Sequence, residues 1–122
     1  MKVLVVDDDE SVRRLFKFML RQGGHEGVFA ADLRAARQAI ADLAECALLV
    51  TDHKLPDGDG FAAARLFREK FPRSRMLLAS GAVDVDELLA QSGAAGFAGI
   101  LRKPFDPDEA LTQIQAVLGG PA

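Results

Sequence analysis

Short apolar runs alternate with longer amphipathic segments along the whole chain. The runs occupy residues 2–6, 25–30, 47–51, 75–80 and 98–103. Those at 2–6, 47–51 and 75–80 are nearly continuous in apolar residues, which is typical of strands buried on both faces of a parallel sheet. Because parallel strands need a crossover connection that is usually a helix, the alternation predicts an α/β fold. We expect five βα units, with helices on both faces of the sheet.

The segments between the runs have the periodicity of helices. The first has apolar residues at the i, i+3, i+4 spacing, namely Val12, Leu15, Phe16, Met19 and Leu20. Similar stripes follow in 33–43 and 61–71, and 83–92 has a weaker one made of Val85, Leu88 and Leu89. The last helix is predicted to begin after Asp106 as N-cap, with Pro107 at its first position.

Length, charge and cysteine content limit the classes of function. The 122 residues are enough for one domain with a real core, so we expect a single domain, 1–122, without an effector domain. The net charge of −3 provides no broad basic field, so neither nucleic-acid nor membrane-surface binding is expected. The single cysteine, Cys46, forms no internal disulfide, which favours a reducing, cytoplasmic compartment; we expect it to be buried.

Polar side chains follow four of the five predicted strands. They are Asp7, Asp8 and Asp9 after the first, Asp52 after the third, Ser80 after the fourth and Lys103 after the fifth. The carboxyl ends of parallel strands meet at one edge of the sheet, where ligands bind in such folds. Clustered carboxylates repel each other, and oxygen ligands favour Mg²⁺ (or Mn²⁺). A carboxylate beside such an ion and a lysine is a suitable phosphoryl acceptor.

Four motifs at these strand ends resemble those of one family. They are "VVDDDE" (5–10), "DHKLPDGDG" (52–60), "ASG" (79–81) and "KPF" (103–105). Each motif alone is weak, but four in order along essentially the whole chain resemble the receiver domain of bacterial response regulators. The resemblance implies a flavodoxin-like, doubly wound sheet with strand order 2-1-3-4-5. It also implies a cis peptide bond before Pro104.

The resemblance also implies how the acidic residues are used. Asp52 would be the phosphoacceptor and a ligand of Mg²⁺. Asp8 would be the main carboxylate ligand of the ion, and Asp7 would hold a metal-bound water. The backbone carbonyl of Lys54 would complete the protein ligands.

The resemblance assigns the remaining site residues to sensing and charge balance. Lys103 would pair with Asp52 and later with its phosphate, and Ser80 would bond the phosphoryl group. The switch position three residues before the lysine, usually Tyr or Phe in this family, is Ile100 here. Phe97 is expected to precede the strand, on the wrong side of the register.

The family also implies partners and an output. The phosphoryl donor would be a phosphohistidine on a histidine kinase or a histidine phosphotransfer protein. A downstream protein would be contacted through the fourth helix, fifth strand and fifth helix. The domain would catalyse its own phosphotransfer and slow dephosphorylation as a monomer or weak homodimer, and so would be a signalling protein rather than an enzyme.

Two alternative functions remain open. The stretch "VVDDDESV" also fits the start of haloacid-dehalogenase-type phosphohydrolases, in which Asp7 would be the nucleophile and Asp9 the acid/base. A receiver-like binding module that works without phosphorylation is the second, because of Ile100.

The other polar residues near the acceptor motif have simpler interpretations. Asp57 and Asp59 do not fit a calcium loop, because Phe61 falls at the fifth position of that pattern. We expect Asp59 to cap a helix, and Asp57 and His53 to face solvent. His25 is expected to be a surface residue at the start of a strand.

Overall fold

A five-stranded parallel sheet forms the centre of the molecule. The computed structural model describes residues 1–81 and 85–119. The sheet strands are β1 (Lys2–Val6), β2 (Glu26–Ala30), β3 (Leu48–Asp52), β6 (Arg75–Ser80) and β7 (Gly99–Arg102), and the two-residue strands β4 (Lys54–Leu55) and β5 (Gly58–Asp59) pair in a separate antiparallel hairpin. The sheet order β2-β1-β3-β6-β7 is the predicted 2-1-3-4-5 once the hairpin is left out. The predicted α/β fold is therefore confirmed.

Helices cover both faces of this sheet. They are α1 (Glu10–Gln22), α2 (Leu33–Asp42), α3 (Gly60–Lys70), α4 (Val85–Ala94) and α5 (Pro107–Val117). Helices α1 and α5 pack on one face, and α2, α3 and α4 pack on the other. Aspartate caps the N-termini of α1, α2, α3 and α5, whose N-caps all lie within the described residues; these caps are Asp9, Asp32, Asp59 and Asp106, and their carboxylates accept bonds from first-turn amides.

The strand β1 shows why the apolar runs are continuous. Leu4 and Val6 belong to the core cluster on the side of α2 and α3, whereas Val3 and Val5 belong to the cluster on the side of α1 and α5. Successive side chains of a strand point to opposite faces, so a strand covered on both sides needs apolar residues at every position. The sheet is buried in this way because helices flank it on both sides.

The fourth helix differs from its prediction. It runs over Val85–Ala94, and the first two residues of the predicted range, 83 and 84, lie outside the described part of the chain, as does the Val85 side chain. Leu88 is buried, but Leu89, which we placed on the same apolar face, is 48% exposed. Two adjacent residues are about 100° apart around a helix, and in α4 the buried face includes Leu88 but not Leu89, whereas the wider face of α1 includes both Met19 and Leu20.

Membrane insertion through a helix has no structural support in the described ranges. None of the helices within residues 1–81 and 85–119 is long and apolar enough to cross a membrane.

Candidate acidic site at the carboxyl edge of the sheet

Three carboxylates meet at the carboxyl ends of β1 and β3. Val6 pairs with Thr51 in the parallel register, so the next residues of the two strands, Asp7 and Asp52, are neighbours across the sheet. One oxygen atom from each of Asp7, Asp8 and Asp52 lies within 4.8 Å of the others. Asp7 is buried, Asp52 is half-buried and Asp8 is exposed. The convergence that we expected from the strand ends is thus present.

Lys103 lies between two of these carboxylates. Its Nζ is 2.9 Å from Oδ2 of Asp7 and 3.2 Å from Oδ2 of Asp52. Its backbone N–H donates to the Ser80 carbonyl at 3.0 Å, which ties the lysine to the end of β6. Burial alone would lower the pKa of Lys103, but the hydrogen bond and charge of Asp7, together with Asp52, outweigh burial and raise it. The lysine is therefore held as a cation at the site.

Asp7 is fixed on both sides of its carboxylate. Oδ2 accepts from Lys103, and Oδ1 accepts from the backbone N–H of Asp9 at 2.9 Å. The guanidinium of Arg13 donates to the backbone carbonyl of Asp7 at 2.8 Å. Both carboxylate oxygens of Asp7 thus have a protein donor, and Asp7 is also one of the three carboxylates that could hold an ion.

Asp52 is in a less favourable environment for its charge. Burial and then the charge of Asp7 raise its pKa, and Lys103 only partly opposes them. A bound cation would relieve this repulsion. The donor set fits Mg²⁺, because it consists of carboxylate oxygens, and the exposed Asp8 leaves room for the waters that this ion keeps.

The backbone around the acceptor is held by hydrogen bonds to the neighbouring strand and helix. The N–H of His53 donates to the Ala79 carbonyl, and the N–H of Gly60 donates to the His53 carbonyl, both at 2.9 Å. Gly60 has to be glycine, because a methyl group there would overlap the backbone carbonyl oxygen of Asp52. The start of α3 thus lies directly against the end of β3.

Ser80 and Lys54 lie at the expected places in the fold. Ser80 is the last residue of β6, is buried, and stands opposite Arg102 in the register with β7. Lys54 belongs to β4, lies two residues after Asp52 in the sequence, and is exposed. Ser80 is therefore the end of one of the converging strands, and Lys54 follows the end of another by two residues.

Ile100 occupies the position three residues before the lysine at which the receiver family usually has Tyr or Phe. Ile100 is half-buried in β7, stands opposite Leu78, and its carbonyl accepts from Nε2 of Gln113 at 2.9 Å. Phe97 precedes β7, as expected, and is buried.

A row of aromatic rings runs from the acceptor loop to Phe97. The ring of Phe97 packs edge-to-face on Phe61 with centroids 5.9 Å apart, and Phe61 packs edge-to-face on His53 with centroids 5.6 Å apart. The expectation that His53 faces solvent is therefore wrong, because this residue is half-buried against Phe61. His25 is likewise half-buried, 3.0 Å from Oε1 of Gln115 through Nε2, and immediately precedes β2.

Asp57 is the residue whose role sequence reasoning missed. Its side chain is exposed but accepts from the backbone N–H groups of Leu33 at 2.8 Å and Arg34 at 3.1 Å, so it is not merely solvated. Asp59 caps α3 as predicted, accepting from Ala62 at 2.9 Å. No local pattern could have revealed the partner of Asp57, because it lies 24 residues away in sequence.

Comparisons with known proteins agree with this geometry. A family model for the response regulator receiver domain matches residues 3–115. The chain is 33% identical over 116 residues to protein PetR of Rhodobacter capsulatus, which covers 95% of this chain and 48% of PetR. It is 30% identical over 116 residues to the sensor protein TorS of Escherichia coli, covering 95% of this chain and 12% of TorS.

A solved structure matches over almost its whole length. The chemotaxis response regulator CheY4 of Vibrio cholerae has a TM-score of 0.85 and 31% sequence identity, covering 95% of this chain and 97% of that chain. The chain spans about half the length of PetR and a smaller part of TorS. The matched region is thus a part of those two proteins and nearly all of the CheY4 chain.

Proposed function

This chain belongs to the response regulator receiver domain family, and we therefore propose that Asp52 accepts a phosphoryl group from a phosphohistidine. The observation that carries the proposal is the position of Asp52, whose carboxylate lies next to Lys103 and two further aspartates at the carboxyl edge of the sheet. Asp52 is the last residue of β3, whereas the other two carboxylates, Asp7 and Asp8, both follow β1.

The transfer is a displacement at phosphorus. An oxygen of the Asp52 carboxylate forms a bond to phosphorus as the phosphorus–nitrogen bond of the phosphohistidine breaks. The electron pair of that bond returns to the imidazole, which takes up a proton from water. The product is an acyl phosphate on Asp52 and a neutral histidine on the donor.

The neighbouring residues hold and neutralise the reacting group. Lys103 faces the Asp52 carboxylate and would follow the charge onto the phosphate oxygens. Asp8, Asp52 and the carbonyl of Lys54 would hold Mg²⁺ (or Mn²⁺), with Asp7 orienting a bound water. The ion, when bound, supplies charge stabilisation for the transferring phosphoryl group.

The signal would pass to protein partners. We propose that a histidine kinase or a histidine phosphotransfer protein is the donor, and that Ser80 hydrogen-bonds the phosphoryl group. The surface of α4, β7 and α5 would then contact a downstream protein, with the charge added at Asp52 shifting a two-state equilibrium. Relatives such as PetR are about twice as long as the matched region, so the proposal concerns this domain alone.

The phosphohydrolase alternative is disfavoured by the contacts of its two required aspartates. Asp9 caps α1, with one carboxylate oxygen accepting from the N–H and the hydroxyl of Ser11, at 2.9 and 2.7 Å. Asp7 is occupied by Lys103 and the Asp9 amide. Because the Asp9 carboxylate caps α1, it is not arranged to move a proton to a leaving group, as the phosphohydrolase mechanism requires.

The test is a titration of beryllofluoride with Mg²⁺ into the wild type and the variants Asp52→Asn and Asp59→Asn, followed by amide chemical shifts. The chain has no tryptophan or tyrosine, so fluorescence is a poor readout. Asp59 is the matched control, because it is a carboxylate of the same loop that caps α3. Incubation with acetyl phosphate and peptide mass spectrometry then identifies the phosphorylated residue.

We expect shifts in the wild type and Asp59→Asn, none in Asp52→Asn, and phosphate on the peptide that contains Asp52. Phosphate on Asp7 instead would support the phosphohydrolase reading. Shifts confined to the pocket, with none in α4, β7 or α5, would support the role of Asp52 but contradict the proposed output surface. Equal shifts in all three proteins would remove Asp52 from the mechanism and favour a module that works without phosphorylation.

A further inference from the structure

The N-terminus of α2 is capped by two carboxylates from different parts of the chain. Asp32, the local N-cap, accepts from the N–H of Ala35 at 2.7 Å. Asp57, from the loop after the acceptor, accepts from Leu33 and Arg34, the first two residues of the helix. The first-turn amides of a helix have no partners within the helix. Asp57 therefore satisfies two amides that Asp32 leaves unbonded.

A second contact joins the same two segments. Gly58 lies so close to α2 that a methyl group there would come to 2.9 Å from Cδ2 of Leu33. Leu33 itself packs against the core cluster that contains β3 and α3 residues. The loop thus rests on a side chain that the core holds in place, in addition to its two hydrogen bonds.

The loop fastened in this way carries the backbone next to the acceptor. It runs from His53 to Asp59 and contains the hairpin in which Lys54 pairs with Asp59 and Leu55 with Gly58. Its base is held by the two backbone bonds of His53. Asp57 lies between β4 and β5, at the tip of the hairpin, so it fixes the end of the loop that the base does not reach.

We propose that Asp57 is a positioning residue, which clamps loop 53–59 onto α2 and thereby sets the affinity of the neighbouring site for Mg²⁺. The inference rests on the proposed function, because it takes the Lys54 carbonyl in this loop as an ion ligand. A loop that is already ordered loses less conformational freedom when a ligand binds. Removal of the clamp should therefore weaken binding although Asp57 itself touches neither the ion nor the phosphoryl group.

The two caps of α2 provide a matched pair of variants. Asp57→Ala and Asp32→Ala each remove a capping carboxylate from the same helix end, so both should lower the stability of α2. Only Asp57→Ala also releases the loop. Asp57→Asn keeps one acceptor oxygen without the charge. Its loop exchange rates and its Mg²⁺ affinity should therefore lie between those of Asp57→Ala and the wild type.

The first measurement is hydrogen exchange of the backbone amides in EDTA, which needs no metal. We expect faster exchange at Leu33, Arg34 and the amides of loop 53–59 in Asp57→Ala. In Asp32→Ala, faster exchange should be confined to α2. Equal exchange of the loop amides in both variants would overturn the clamp.

The second measurement is a Mg²⁺ titration followed by amide shifts. We expect the Kd of Asp57→Ala to rise about tenfold, at the lower end of what residues behind a metal ligand contribute. The Kd of Asp32→Ala should stay within about twofold of the wild type, as for a cap away from the loop. Equal weakening in both would show that Asp57 acts only as a helix cap.

The two proposals fail in different ways. A wild type that does not bind Mg²⁺ would contradict the proposed function and the effect on affinity, and hydrogen exchange would still decide whether the clamp exists. A wild type that binds Mg²⁺ while Asp57→Ala binds equally well would contradict the clamp and leave the phosphoacceptor site intact.

Discussion

Nζ of Lys103 lies 2.9 Å from Oδ2 of Asp7, although the two residues are 96 positions apart in the sequence. Asp7 follows β1 and Lys103 follows β7 of the same parallel sheet. The strand that ends in Asp52, β3, lies between these two strands in the sheet. The site contains three carboxylates and one ammonium, so two negative charges are not balanced by the protein. A divalent cation would balance them, which is the electrostatic reason for expecting Mg²⁺ here.

Loss of the Lys103 charge should destabilise the apo-protein strongly. Lys103→Met leaves the buried Asp7 without its cation, and we expect a loss of about 3 kcal/mol, the lower end for a broken buried pair, because the lysine is 25% exposed. Arg14→Met is the control, since Arg14 and Glu10 form an equally short ion pair that is exposed and should contribute under about 1 kcal/mol. Urea unfolding in EDTA measures both, and equal losses would contradict this account.

Asp52→Asn should stabilise the protein without metal. Burial and the charge of Asp7 raise the pKa of Asp52 in the folded state above its unfolded value of about 3.9. Stability therefore falls as pH rises between those two values, and the asparagine avoids this loss. We expect a Tm about 4 °C higher in EDTA at neutral pH, or about 1 kcal/mol.

Saturating Mg²⁺ should reverse that order, because a ligand that binds only the folded wild type raises its Tm. Thermal unfolding by circular dichroism measures both conditions. A variant that is less stable than the wild type in EDTA would contradict the assigned repulsion.

The contribution of Asp57 to stability should depend on pH. Its bonds from the Leu33 amide, and then from Arg34, lower the pKa of Asp57, so the charged form favours the folded state. This contribution is complete above the unfolded pKa of about 3.9 and is lost as pH falls through the lower, folded value. The Tm difference between wild type and Asp57→Asn should therefore shrink as pH falls from about 6 to about 3. A difference that stays constant over this range would contradict the charged cap.

Substitution of Gly60 should disturb the acceptor directly. In Gly60→Ala the new methyl group meets the backbone carbonyl of Asp52 and the side chain of Leu78, so either the end of β3 or the start of α3 has to move. We expect a loss of about 2 kcal/mol, as for overpacking in a core, and slower phosphorylation by acetyl phosphate.

Gly93→Ala is the control for Gly60. Gly93 lies in α4 with open space around the position of a new methyl group. The substitution should raise stability by up to about 1 kcal/mol and leave phosphorylation unchanged. Equal phosphorylation rates in the two variants would contradict the close approach of Gly60 to Asp52.

Much of the fold could be predicted because its signals are local. Residues buried on both faces of β1 must be apolar at every position, and a helix that starts at Pro107 after Asp106 is typical of a capped N-terminus. The polar residues that follow the strands then meet at one edge, since all strands of the sheet are parallel. Asp7, Asp52 and Lys103 could be brought together by this argument alone.

The contacts made by side chains in loops were decided by the tertiary structure. Asp57 and Asp59 are two residues apart and chemically identical, yet one caps α2 across 24 residues and the other caps the helix that follows it. His53 is half-buried because Phe61 folds back against it. The five strands of the sheet, the helices and the edge at which the charged residues collect follow from the order of residues along the chain, because periodicity and chain direction are properties of neighbouring residues. The helix to which the acceptor loop is fastened is set by the packing of distant segments, because it depends on how the start of α2 lies against Asp57 and Gly58.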